Sequence, residues 1–250
     1  MKAKFLKIFV PIAGLAACGM RIALYATGFD GRSLLIQDHW ARIGLLILTG
    51  LVAVILLATG LFIKGSDNAK DARPKPFPSA LGCFAAAMAL GFTCGWEFGD
   101  FPSVLHTVLW GLGLVSTFCL LAVSVCRWQR SRPYFALHAI VCVYFALRTV
   151  LLYRSYSSDP MTQDYTFYLM AYVALMLCAY HHAAFDAGMG SHRALWITSL
   201  AAVYLCCAAL KNCPDIPLLA GCALWALTNL TSLTVRRPVR PRQEQEEEIQ

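Results

Sequence analysis

Eight apolar runs, each close to the length of a membrane-crossing helix, constrain this chain more than any other feature. A helix needs about 20 mostly apolar residues to cross the hydrocarbon core of a bilayer. Such runs occupy residues 5–27, 41–63, 79–98, 103–125, 134–153, 165–185, 194–210 and 216–235. None alternates in the manner of a barrel strand, and lipid cannot satisfy open backbone groups, so helices are the expected form. Charged residues make up only 14% of the 250 residues and hydrophobic ones 58%. A soluble domain carries roughly 25% charged residues. The expected fold class is therefore all-α, a polytopic transmembrane helix bundle of about eight spans. Residues 1–235 would form the bundle, and 236–250 a disordered cytoplasmic tail.

Basic residues orient the bundle, because Lys and Arg near span ends favour the cytoplasmic side. One set of ends carries Lys2, Lys4, Lys7, Lys64, Lys70, Arg73, Lys75, Arg127, Arg130, Arg132, Arg193, Arg236, Arg237, Arg240 and Arg242. The other carries Arg32, Arg42, Arg154 and Lys211, in short connections that also hold Asp30, Asp38, Asp100, Asp159, Asp164 and Asp215. Fifteen against four, with an even span count, places both termini in the cytoplasm and the chain in a cell (cytoplasmic) membrane. The net charge of +7 sits at span ends, so it argues for membrane anchoring and against a nucleic-acid partner. The tail RRPVRPRQEQEEEIQ reads as a basic juxtamembrane stretch followed by an acidic end.

Eleven cysteines lie almost entirely inside the apolar runs and form no CxxC pair. They read as small apolar packing residues, with Cys213 the clearest loop cysteine. At the N-terminus, three lysines and Leu15-Ala16-Ala17-Cys18 resemble a bacterial lipoprotein signal with its lipidated cysteine. The chain stays apolar through Ala26, however, and the first run is read as a span.

Parts of the two halves look alike. Met20-Arg21-Ile22-Ala23-Leu24-Tyr25 precedes Asp30, and Leu147-Arg148-Thr149-Val150-Leu151-Leu152-Tyr153 precedes Asp159. Val108-Leu109-Trp110-Gly111-Leu112 resembles Ala223-Leu224-Trp225-Ala226-Leu227. A tandem duplication of four-helix halves, 1–125 and 126–235, would relate them by an axis along the membrane normal. Apolar segments also match one another by composition alone.

Ionisable groups at membrane depth are costly and tend to face a bundle interior. Arg21 lies about 9 Å past the middle of the first span, at 1.5 Å per residue, and Arg148 sits at a similar depth in the fifth. Glu97 ends the third span at the same level. Arg21, Arg148 and Glu97 are thus candidate binding residues for a small anion, the competing reading being snorkelling or a locking ion pair. In the sixth span Tyr165, Tyr168, Tyr172, Leu175, Ala179, His182 and Asp186 share one stripe. Tyr172, His182 and Asp186 are candidate binding or proton-pathway residues, with His138 expected at the same inner depth. Tyr165 and Tyr168 read as interfacial belt aromatics. Gly91, Gly95 and Gly99, with Ala85 and Ala89, form a small-residue stripe for helix packing. Asn229, Thr228 and Ser232 suggest interhelical hydrogen bonds.

The sequence contains no P-loop, HExxH or GxSxG signature. No catalytic residue, metal site or cofactor is expected. The leading functional expectation is a small transporter or permease-like protein for a small anion or organic solute. The alternatives are a non-transporting sensor or assembly subunit, as a homo-oligomer or beside a partner membrane subunit, and a membrane enzyme acting on lipid-linked substrate. The enzyme would need Asp100 or Asp159 to converge with His39 or His106.

Overall fold

The computed structural model describes residues 3–27, 39–62, 72–74, 76–99, 103–156, 162–211, 213 and 215–235. Among the described residues eight helices follow one another: α1 (Ala3–Thr27), α2 (Trp40–Phe62), α3 (Pro76–Trp96), α4 (Val104–Trp128), α5 (Phe135–Tyr156), α6 (Thr162–Asp186), α7 (His192–Ala209) and α8 (Ile216–Ser232). Each apolar run becomes one helix, because only intrahelical bonds satisfy the backbone of a lipid-facing segment. Seven of the helices are long and apolar enough to cross a membrane, and α8, with 17 residues, is shorter. The chain is a multi-pass helical membrane protein.

The hydropathy of the eighth run predicts a helix through residue 235. Instead α8 ends at Ser232, and strand β2 (Leu233–Val235) pairs antiparallel with β1 (Ala72–Pro74). Arg73 faces Thr234 in this three-residue clasp. The connection after α2 and the segment after α8 therefore lie side by side. The expected tail, 236–250, lies outside the described residues.

Two helix ends show how local chemistry stops a helix. After α6, Gly188 adopts φ 78, Met189 N donates to the Ala184 carbonyl and Gly188 N to that of Phe185. After α4, Arg130 adopts φ 59, Ser131 N donates to the Cys126 carbonyl and Arg130 N to that of Arg127. Both are Schellman closures, in which a left-handed residue lets the orphan carbonyls be reused.

Packing gives the architecture. α3 packs on α4, α4 on α5, α5 on α6, α6 on α7, α7 on α8, and α8 returns to α3. Six helices thus close a ring in chain order, and its interior is the main core, with Tyr144, Phe145, Tyr172, Leu175, Leu218 and Trp225 among its buried side chains. The α1–α2 hairpin lies outside the ring, with α1 along α7 and α2 on α1 and, to a lesser extent, α7. Leu6, Val10, Trp196, Leu200 and Tyr204 form the smaller core beneath it. Outward faces carry Leu46, Ile47, Leu57 and Phe118, as lipid exposure requires.

The seam that closes the ring, α3 against α8, is made of small residues. A Cβ on Gly221 would strike the Ala89 Cβ and lie 3.0 Å from the Ala85 carbonyl oxygen, and one on Gly82 would strike the Thr228 hydroxyl. The glycine stripe expected on α3 works differently. Gly91 approaches Thr117 of α4, whereas Cβ atoms on Gly95 and Gly99 would meet nothing within 4 Å. The close approach belongs to Gly82, Ala85 and Ala89.

Candidate functional site

Two groups of buried polar side chains occupy opposite ends of the ring. On α5, Arg148 belongs to one and His138 to the other. Ten helical residues separate them, about 15 Å at 1.5 Å per residue.

At the first end, Arg148 is held by two carboxylates. Its Nη2 donates to Glu97 Oε1 at 2.6 Å and to Asp215 Oδ2 at 2.7 Å, and Nη1 donates to Glu97 Oε2 at 3.1 Å. Tyr172 donates its hydroxyl proton to Asp215 Oδ2 at 2.6 Å, and Tyr168 donates to the same oxygen. Four elements supply these groups: Glu97 follows α3, Arg148 rises from α5, the tyrosines sit one turn apart on α6, and Asp215 fills the turn before α8. Burial alone would raise the Asp215 carboxyl, but the Arg148 charge and the two hydroxyls outweigh it and hold it below the usual carboxylate range. In the same turn, burial and then the Asp215 charge push the Cys213 thiol up to about 12. Asp215 N donates to Cys213 Sγ at 3.2 Å, so this cysteine is a packing and hydrogen-bonding residue.

The Glu97 side chain is 32% exposed and that of Asp215 is 5% exposed. Both line a cleft of ≈410 Å³ with Phe92, Thr93, Trp96 and Pro217. Among the described residues one guanidinium and two carboxylates meet at this mouth, a formal excess of negative charge.

At the second end, His138 Nδ1 lies 2.7 Å from Asp186 Oδ2. The His138 ring stacks on His182 with centroids 5.2 Å apart, and Trp225 of α8 packs on both imidazoles, at 6.1 Å and 5.2 Å. Beside them Arg127 donates to the Ser79 hydroxyl and to Asn229 Oδ1, and Ser79 donates to Asn229 Oδ1 at 3.1 Å. Among the described residues no three His, Cys, Asp or Glu side chains are arranged to hold a metal ion.

Glu97 and Arg148 meet in the first group, joined there by Tyr172. His182 and Asp186 lie together in the second, and His138 reaches their depth. Arg21 stands elsewhere. Its Nη1 donates to the Ala208 carbonyl of α7 at 2.9 Å and its guanidinium lies 5.5 Å from the Phe167 ring centroid. Tyr168, expected in the interfacial belt, is 3% exposed and bonded to Asp215 instead. Arg127, expected among the cytoplasmic end charges, is also buried inside the ring. Asp215 and Trp225 carried no signal as site residues, since a loop aspartate and a core tryptophan look ordinary until the ring closes. Of the enzyme candidates, His39 contacts Thr27 and His106 contacts Ser103, while Asp100 and Asp159 lie outside the described residues. No protein-family model matches the chain, and no curated protein and no solved structure matches it.

Proposed function

We propose that this chain is a small permease of the cytoplasmic membrane, with both termini inside. Its solute carries a cationic group that enters at the Glu97–Asp215 mouth. The observation that carries the reading is the cleft at the end of the ring, with two carboxylates and the aromatic rings of Phe92 and Trp96 on its walls. Carboxylates and aromatic faces both attract organic cations. An anion is less well supported. Arg148 already holds two carboxylates, and Arg21 turns to Ala208 and Phe167. The orientation rests on the Lys and Arg asymmetry and agrees with the β1–β2 clasp, which brings the connection after α2 beside the segment after α8. The four-plus-four duplication stays a proposal from sequence alone. It draws no support from packing, since α6 packs along α7 while their counterparts α2 and α3 are not packed together.

The test is ligand-dependent stability in detergent micelles, with choline, ethanolamine and putrescine set against acetate and succinate. A bound solute at ten times its Kd stabilises by about 1.4 kcal/mol. The expected result is stabilisation by at least one cation, lost in Glu97→Gln. Stabilisation by the anions alone, or equal stabilisation of Glu97→Gln, overturns the cationic reading.

One observation favours a second reading, an assembly subunit. α2 is the least buried of the spanning helices and packs mainly on α1, leaving Leu46, Ile47 and Leu57 free to meet a partner helix. Co-purification of a stable homo-oligomer or membrane partner, lost when α2 is given polar residues on that face, would support it.

A further inference from the structure

The second polar group has a geometry that the solute reading does not use. His138 is fully buried, whereas Asp186 is the last residue of α6 and its side chain keeps 9% exposure. The carboxylate therefore stands between the molecular surface and the imidazole. At 2.7 Å the two are in contact, yet His138 Nδ1 lacks the alignment of a hydrogen bond. His138 Nε2 and His182 Nε2 are also buried without a hydrogen-bond partner among the described residues. Burial disfavours a charged imidazole, so a proton on His138 depends on the Asp186 carboxylate in contact with Nδ1, while His182 has no carboxylate of its own.

We propose that His138 and Asp186 form a proton-binding site, reached through Asp186, and that Trp225 reports its occupancy. The proposal does not depend on which solute, if any, enters at the other end.

The surroundings set how many protons it holds. Arg127 on α4 is a cation whose charge acts on both histidines. Cys83 on α3 is within reach of the Arg127 and Asp186 charges, and His181 neighbours His182 on α6. α8 contributes Trp225 and Asn229, which do not titrate in this range, and α7 places Ser199 against Cys178. With both imidazoles neutral, Arg127 and Asp186 cancel. One proton on His138 forms an imidazolium–carboxylate pair with Asp186, whose Oδ2 lies 2.7 Å from Nδ1. A second proton, on His182, would face Arg127 and the first imidazolium at once. The site therefore binds one proton, and His182 stays neutral.

A protonated imidazole stacked on an indole quenches its emission by accepting an electron from the excited ring. The experiment titrates tryptophan fluorescence of the whole protein in detergent and takes the difference from Trp225→Phe. The expected difference signal falls as the pH drops from 8 to 5, the window in which histidines charge. It follows a single-proton curve and vanishes in His138→Gln. In Asp186→Asn the midpoint moves down by about one unit or more, because the carboxylate that favours the charged form is gone. If His138→Gln does not fold, Asp186→Asn decides alone. A flat Trp225 signal across this range overturns the proposal. So does an unchanged midpoint in a monodisperse Asp186→Asn variant, or a quench that survives in His138→Gln and is lost in His182→Asn.

Discussion

Replacing Arg148 by methionine removes the only cation bonded to Glu97 and Asp215 among the described contacts and leaves two carboxylates of unequal burial. Asp215 is 5% exposed and Arg148 is 10% exposed, so this is a buried pair. Removing one member of a buried pair costs about 3–5 kcal/mol, because the other is left as an uncompensated charge. Asp215 keeps the hydroxyls of Tyr168 and Tyr172, which places the loss near the lower figure, about 3 kcal/mol. Glu97 is a third exposed, and Glu97→Gln should cost no more than about 1 kcal/mol despite the bidentate geometry. Asp215→Asn added to Arg148→Met removes the stranded charge, and the double variant should recover most of the loss. The assay is equilibrium unfolding in mixed micelles, followed by near-ultraviolet circular dichroism. A loss for Arg148→Met no larger than that for Glu97→Gln refutes the reasoning. A double variant less stable than Arg148→Met alone refutes it as well.

The Asp215 carboxyl is held below its ordinary value, so its contribution to stability is complete above about pH 4, near the unfolded value. It is lost as the pH falls through the folded value. Below about pH 4 the melting temperature in detergent should fall less steeply in Asp215→Asn than in the parent protein. Gly221→Ala should destabilise the α3–α8 seam by about 1–3 kcal/mol, since the Ala89 Cβ and Ala85 backbone cannot swing away. Gly95→Ala, open on all sides, should be neutral or stabilise by up to about 1 kcal/mol in the same unfolding assay. Arg130→Gly relieves a left-handed non-glycine residue and should stabilise by about 1 kcal/mol; a loss would show that the Arg130 side chain has a role of its own.

Hydropathy made the helices legible, because a membrane span is a composition as much as a pattern. It could not show which helices touch, since lipid-facing and ring-facing residues are alike apolar. The closure of α8 on α3, and the exclusion of the α1–α2 hairpin from the ring, depend on side-chain size at Gly221, Gly82, Ala85 and Ala89. Depth was legible too. It put Glu97 level with Arg148, and His138 level with His182 and Asp186, and these residues meet. Depth says nothing of azimuth, and Arg21 shares a level with Arg148 yet serves α7. Asp215 was legible only as a loop carboxylate. The turn between α7 and α8 folds back into the ring, and that makes it the acceptor for Arg148, Tyr168 and Tyr172.

Saturable uptake of labelled organic cations into proteoliposomes tests the central functional claim most directly. The expected result is flux of a labelled ammonium-bearing solute that its unlabelled form competes away and that is lost in Glu97→Gln. Correctly inserted protein that shows no saturable flux for any cation, or that carries anions with Glu97→Gln unimpaired, would contradict it.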